Sequence, residues 1–294
     1  MKKRQRLAFI ILLLFIVTLV IFYFIRGIRE SLIFKNKERI NIVFYGSVSN
    51  FYSIAKNRDV NYYLSLYPDL KVIIPGGYGN YRLGALGKLV SLEKKPDLIR
   101  KTFSSLAAGF VDLYFYQPTS SIYFGKKEDT DVTLPKIGQI FTMRTNGNIF
   151  DRLYVLTLFF GKVKLQFSQI NNLPIAEDEV FLATEFAKKY QGYFYKTAYR
   201  NENHDVQIVY TKSYNTASLL TKIIEGEGIR VANLAQNEQS DKNCRIYCGS
   251  KTSPTAVQMA HFFNCSLSFL SSTEPYDIIF KMGSKAESEW LSEE

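Results

Sequence analysis

Histidine is nearly absent from this 294-residue chain: His204 and His261 are the only two. His204 lies in the polar linker "RNENHDV", and His261 follows Val257 by one helical turn in "SPTAVQMAHFF". Neither sits near an obvious nucleophile, so a Ser-His-Asp hydrolase has little support. Cysteine is scarce too, with Cys244, Cys248 and Cys265. A C-x3-C pair without paired histidines is a poor zinc pattern. If 244–248 is a strand, its two ends share a face but lie too far apart for an easy bridge. Cys244 or Cys248 can meet Cys265 across a sheet; buried free thiols are the other option. Lysine and arginine are not interleaved with aromatics in any single-strand or RNA pattern, so no nucleic-acid partner is expected. The net charge of +10 falls half within residues 1–34 and is otherwise diffuse.

What the chain does have is a long apolar run. After "MKKRQR", no charge occurs from Leu7 to Ile25. As a helix that stretch reaches ~29 Å, close to the ~30 Å hydrocarbon core of a bilayer. A buried soluble helix would show a polar face, and "FYFIRGIRE" lacks the small-x-small site of a cleaved signal peptide. An uncleaved transmembrane anchor is expected, with residues 1–34 as cytoplasmic tail, anchor and stalk. Lys2, Lys3, Arg4 and Arg6 place the short N-terminus inside and the bulk of the chain outside the cell membrane.

Downstream the pattern is α/β. "INIVFYG" (40–46), "NYYLSLY" (61–67) and "KVIIP" (71–75) read as strands. Helical spacing from Tyr81 to Val90 is followed by a helix opened by Pro96 and closed near Gly109. "VDLYFY" is a strand, and residues 117–140 are a long irregular connection. "GNIFDRLYVLTLFFGK" is too short to span a bilayer and is expected as a buried helix. From Asp205 strand-helix-strand occurs twice, and Ser253-Pro254 is a good helix start. Residues 285–294 form an acidic tail, expected to be loose.

The glycine turn "PGGYGNYRLG" raises the question of catalysis. Gly76, Gly77 and Gly79 can form a nest of N–H groups for phosphate, though glycines at a strand end are commonly only turn formers. The stretch is neither a P-loop nor a dinucleotide fingerprint. Arg82 can hold a phosphate, Asp59 a metal, and Tyr78 or Tyr81 a sugar ring. A chain with 20 tyrosines needs no special account of two of them.

Residues 205–284 resemble the LytR C-terminal domain, on "VQIVYTKSYNTASLLTKIIEGEGIRVANL" with Ala217, Gly228 and Val231, then "KTSPTAVQMAHFF" and "YDIIFKMGS". Residues 35–200 resemble the LytR-CpsA-Psr (LCP) domain, on "INIVFYG", "NRDVNYYLSLYPDLKVIIP" and "LIRKTFSSLAAGFVDLYFY". The resemblance implies an anchored α/β fold: a mixed-sheet LCP-like domain, then a small βαβ-βαβ-type domain. It also implies cell-envelope work, since the family attaches polyprenyl-pyrophosphate-linked glycopolymers to peptidoglycan with a divalent metal. The departures matter. Gly76-Gly77 stands where the family has Arg-Asp, Ser47 stands near the place of its first-strand Asp, and Arg58-Asp59 are adjacent rather than spaced. The reading that follows is a degenerate, non-catalytic module without a cofactor. It would bind or organise a wall glycopolymer, a polyprenyl phosphate lipid or an envelope protein. Its candidate ligand residues are Arg58, Asp59, Gly76, Gly77, Tyr81 and Arg82. The alternative is an active phosphotransferase using Arg58, Asp59 and Arg82 around magnesium and a lipid pyrophosphate.

Overall fold

The computed structural model describes residues 2–32, 34–35, 37–56, 59–126, 131–239, 241–250, 252–269 and 275–292. Helix α1 (Lys2–Glu30) is continuous. Its segment Ala8–Glu30 is long and apolar enough to cross a membrane, and none of that apolar window is buried in the protein. A core helix of the same composition would be covered on at least one side.

The chain then builds a six-stranded mixed sheet. In chain order its first strands are β1 (Arg39–Tyr45), β2 (Ser49–Ala55) and β3 (Asn61–Leu66). A separate hairpin follows, β4 (Lys71–Ile74) with β5 (Gly79–Arg82). Next come α2 (Leu86–Glu93), α3 (Asp97–Ala107), β6 (Leu113–Tyr116), α4 (Ile137–Thr142), β7 (Arg144–Thr145), α5 (Ile149–Phe159) and β8 (Phe167–Gln169). The sheet order is β7-β6-β1-β2-β3-β8. Central β1 is buried throughout, which explains why its sequence is mostly apolar rather than alternating: both faces are covered. Val43 and Tyr45 face the core under α2 and α3, with Leu86, Leu98 and Phe103. Ile40, Ile42 and Phe44 face the opposite core, with Ile140, Val155 and Phe159 from α4 and α5. Each such side chain contributes roughly 1.5–3 kcal/mol on burial.

Two local expectations need correction. The helix read from Tyr81 starts only at Leu86, because Gly79–Arg82 pairs with β4 across the glycine turn. Helix α5 is not a buried helix: Val155 and Phe159 are in the core, but Ile149 and Leu153 are exposed. Strand β2, which the sequence reading passed over, joins β1 to β3 antiparallel on both sides.

Helices α6 (Ala183–Tyr190) and α7 (Thr197–Glu202) lead into a second sheet. Its elements are β9 (Asp205–Tyr210), α8 (Tyr214–Gly226), β10 (Arg230–Gln236), β11 (Arg245–Cys248), α9 (Pro254–Phe263), β12 (Ser266–Phe269), β13 (Ile278–Lys281) and α10 (Ser284–Glu289). The order is β10-β9-β13-β11-β12. Both β9-α8-β10 and β11-α9-β12 are parallel units, as the repeated strand-helix-strand pattern requires. Ser253 caps α9 by accepting from the Ala256 N–H, with Pro254 in the first turn. Cys244 and Cys265 are bridged, with Cα atoms 5.0 Å apart, and Cys248 is a buried free thiol.

The expected loose tail is packed. Trp290 is 1% exposed and belongs to the second core, and buried Glu287 accepts from the Thr211 and Lys212 N–H groups. Phe110, which precedes β6 of the first sheet, is also in that second core and stacks on Phe262 at 4.2 Å. The close approach behind it depends on Gly226, where an added Cβ would stand 1.7 Å from the Ala108 carbonyl oxygen. Alanine normally improves a helix by ~1 kcal/mol over glycine. Gly226→Ala is expected to do the reverse and destabilise by about 1–3 kcal/mol, because backbone must move. Thermal unfolding of the full chain in detergent checks the sign.

Candidate functional site

Among the described residues singled out by sequence, Gly76, Gly77, Tyr81 and Arg82 share one hairpin, and Asp59 lies apart from them. Asp59 lies at the Arg39 end of β1, where its carboxylate takes a 2.6 Å contact from the Arg39 guanidinium. Arg39 is itself buried and also donates to Ser53 Oγ and the Val60 carbonyl. Partial burial pushes the Asp59 carboxyl up, but the Val60 N–H and Arg39 outweigh it and hold it below the usual range. Arg58 lies outside the described residues. Ser47 follows the opposite end of β1, and seven residues of strand put ~20 Å between these ends.

Strand β3 runs parallel to β1 through their shared neighbour β2, so Pro68 and Asp69 emerge at the Ser47 end. Arg82 is there too. It is half-exposed, 3.9 Å from Asp69, with its guanidinium 5.9 Å from the centre of the Phe124 ring. Arg82 and Asp59 are therefore at opposite ends of the sheet. Tyr81 stands opposite Val72 in the hairpin, partly exposed. Tyr78 donates to Glu93.

The glycine turn has an internal role. Gly76, Gly77 and Gly79 have φ of 102°, 78° and 69°, values that favour glycine. The N–H groups of Gly76 and Gly77 both donate to the Leu291 carbonyl, at 2.8 and 3.1 Å. The nest that was a candidate for phosphate holds the chain's own C-terminal segment.

A cleft of about 480 Å³ does open at the Ser47 end. Ser47, Ser65, Gln169 and Asn171 supply polar lining; Val48, Phe124, Ile170 and Leu173 supply apolar lining; among the described residues Lys126 and Asp131 are its charged groups. Tyr67 also lines it and donates to the Glu179 carboxylate. Burial first, and then that carboxylate, push the Tyr67 hydroxyl well above its ordinary range, so it stays a neutral donor. Amide, hydroxyl and aromatic groups around one cleft suit a ligand rich in hydroxyls, held by hydrogen bonds and ring contact. Sequence reasoning placed Ser47 at the family's first-strand acid but missed the cleft. Its walls come from four separate segments, and no local pattern joins them.

Magnesium does not fit the residues proposed for it. A hard cation takes oxygen donors whose charge is free. The Asp59 carboxylate is matched by Arg39. Among the described residues there is no group of three or more His, Cys, Asp or Glu side chains placed to share an ion. His261 faces Lys35 at 3.0 Å, and burial followed by the nearby Lys35 and Lys37 cations pushes it down to about 4.

No family model matches this chain, and no curated protein matches it. Among solved structures, TagT of B. subtilis is similar at 18% identity over 28% of this chain, with a TM-score of 0.23. The chain spans 33% of TagT. The Lin1025 protein of Listeria innocua is similar at 10% identity over 49% of this chain and 89% of its own, with a TM-score of 0.28.

Proposed function

We propose that this chain is a single-pass, membrane-anchored envelope protein of LytR type. Its N-terminus is cytoplasmic and its two α/β units lie outside the membrane. The first unit is a degenerate LCP-like domain that binds a wall glycopolymer without turning it over. The second is a LytR C-terminal-like module that buttresses it. The observation that carries this reading is the fate of the glycine turn: its two inward N–H groups are satisfied by Leu291. A pyrophosphate there would have to displace a backbone carbonyl that the fold itself positions. The cleft beside Ser47 supports the binding role, with its amides, its hydroxyls and the Phe124 ring under Arg82.

The test is equilibrium binding to the full chain in lipid nanodiscs. The ligands are soluble glycopolymer fragments and a polyprenyl pyrophosphate analogue, each with and without magnesium. Glycopolymer is expected to bind independently of magnesium. Phe124→Ala should weaken it about tenfold, ~1.4 kcal/mol, while Asp59→Ala leaves it unchanged. Magnesium-dependent capture of the pyrophosphate, lost in both Arg82→Ala and Asp59→Ala, would overturn the reading in favour of a transferase.

A further inference from the structure

The face of α5 that the core leaves uncovered is mostly apolar; its one exposed polar residue, Thr157, turns its hydroxyl onto the Tyr154 carbonyl of its own helix. Ile149 and Leu153 are 54% and 44% exposed, and the stripe continues through Phe160 at 81% into the following loop. There Leu165 is 96% exposed. The spacing of 149, 153 and 160 puts these residues on one side of the helix, turned away from buried Asp151 and Val155. The helix has two charged residues, and neither serves that face. Asp151 is buried, and the Arg152 guanidinium donates to the Ile140 and Met143 carbonyls. A sustained apolar stripe of this kind marks an interaction surface.

The position of α5 says which one. Its first turn is bound to the end of the membrane-length helix. Asn148 Nδ2 donates to the Gly27 carbonyl at 2.8 Å, and the Leu32 N–H donates to Asp151 Oδ1 at 2.7 Å. The Phe150 ring packs edge-on against Phe24 at 5.0 Å and fills the space that a Cβ on Gly27 would need. The start of α5 is thus at the depth where α1 leaves the bilayer. Lys162 and Lys164 follow in the loop beyond Phe160, and anionic headgroups attract such residues. We infer that the exposed face of α5, with Phe160 and Leu165, lies in the interfacial layer of the same bilayer that α1 spans. There it acts as a second, monotopic contact that fixes how the extramembrane units stand on the membrane. This inference rests on α1 being a membrane anchor.

The experiment keeps the two apart. The full chain is reconstituted in vesicles containing lipids brominated on the upper acyl chain, with single tryptophans introduced by Phe160→Trp, Leu165→Trp, Leu92→Trp and Phe15→Trp. Native Trp290, 1% exposed, gives a constant background. Tryptophan at 160 and 165 is expected to lose at least half its added emission to bromine, as at 15. At 92, on the exposed side of α2, it should keep it. Quenching at 15 without quenching at 160 and 165 would overturn the inference and leave the anchor standing. No quenching at 15 would remove the anchor and the inference together. Blue-shifted emission at 160 and 165 that ignores bromine and grows with protein concentration would assign the face to a second copy instead, and overturn it as well.

Discussion

Asp112→Asn is expected to cost about 3–5 kcal/mol, roughly a fifth or more of the stability of an ordinary domain. Asp112 belongs to a buried set of four charges. Lys37 donates to its carboxylate, and Lys196 stands 3.9 Å from it and 2.6 Å from Glu227. All four side chains are less than a tenth exposed. The two carboxylates also accept backbone N–H groups, Asn41 for Asp112 and Phe110 for Glu227. Burial pushes the Asp112 carboxyl up, but the Lys196 and Lys37 ammoniums outweigh it and hold it below the carboxylate range. Two positive and two negative charges balance only while all four are present. An asparagine at 112 leaves two ammoniums against one carboxylate at buried positions. Thermal unfolding of the detergent-solubilised chain should show a fall of roughly 10 °C. Arg230→Gln is the control. It breaks a 3.4 Å pair with Asp205 in which Arg230 is 71% exposed, and should change stability by less than about 1 kcal/mol. Equal melting of Asp112→Asn and the parent would mean that the set contributes nothing net.

Trp290→Ala is the second large effect, again about 3–5 kcal/mol. The indole packs on Phe262 at 5.9 Å and Phe263 at 5.7 Å, with the Lys101 ammonium 5.5 Å from the ring centre. Its removal opens a cavity in the core that Phe110 enters from the first sheet. The loss should also be felt at a distance. Leu291 is the next residue, and it is held by Gly76 and Gly77. Hydrogen exchange of those two amides should speed up in Trp290→Ala while β1 amides stay protected. Unchanged exchange at Gly76 and Gly77 would show that the turn keeps its geometry without the tail.

Much of the architecture was readable because it is written in local spacing. The uncharged run from Leu7 to Ile25 needs only the helix rise to reach bilayer length. Both βαβ units announce themselves by a change from apolar runs to helical periodicity, and Ser253-Pro254 marks α9 by its own capping chemistry. The site was less legible. Arg58, Asp59 and Arg82 look close in a motif comparison, yet a strand separates Asp59 from Arg82, and the sheet sends its two ends opposite ways. The glycines form a turn, one of the two readings their sequence allowed, but the partner of their N–H groups, Leu291, lies more than two hundred residues away. Helix α5 has the composition of a core helix, and composition alone does not say which face its neighbours leave bare.

By itself, then, the sequence determined the membrane-length segment, the α/β class, the two strand-helix-strand units and the glycine turn. These follow from propensities and periodicities within a few residues. Tertiary structure alone decided that Cys244 pairs with Cys265, that Lys37, Asp112, Lys196 and Glu227 share one buried site, and that Trp290 closes the second core. It also decided that α5 turns a mostly apolar face outward beside the membrane-length helix. Each of these depends on segments tens to hundreds of residues apart meeting at a few ångströms. No local pattern encodes such a meeting, because its energy is realised only once the layers have packed.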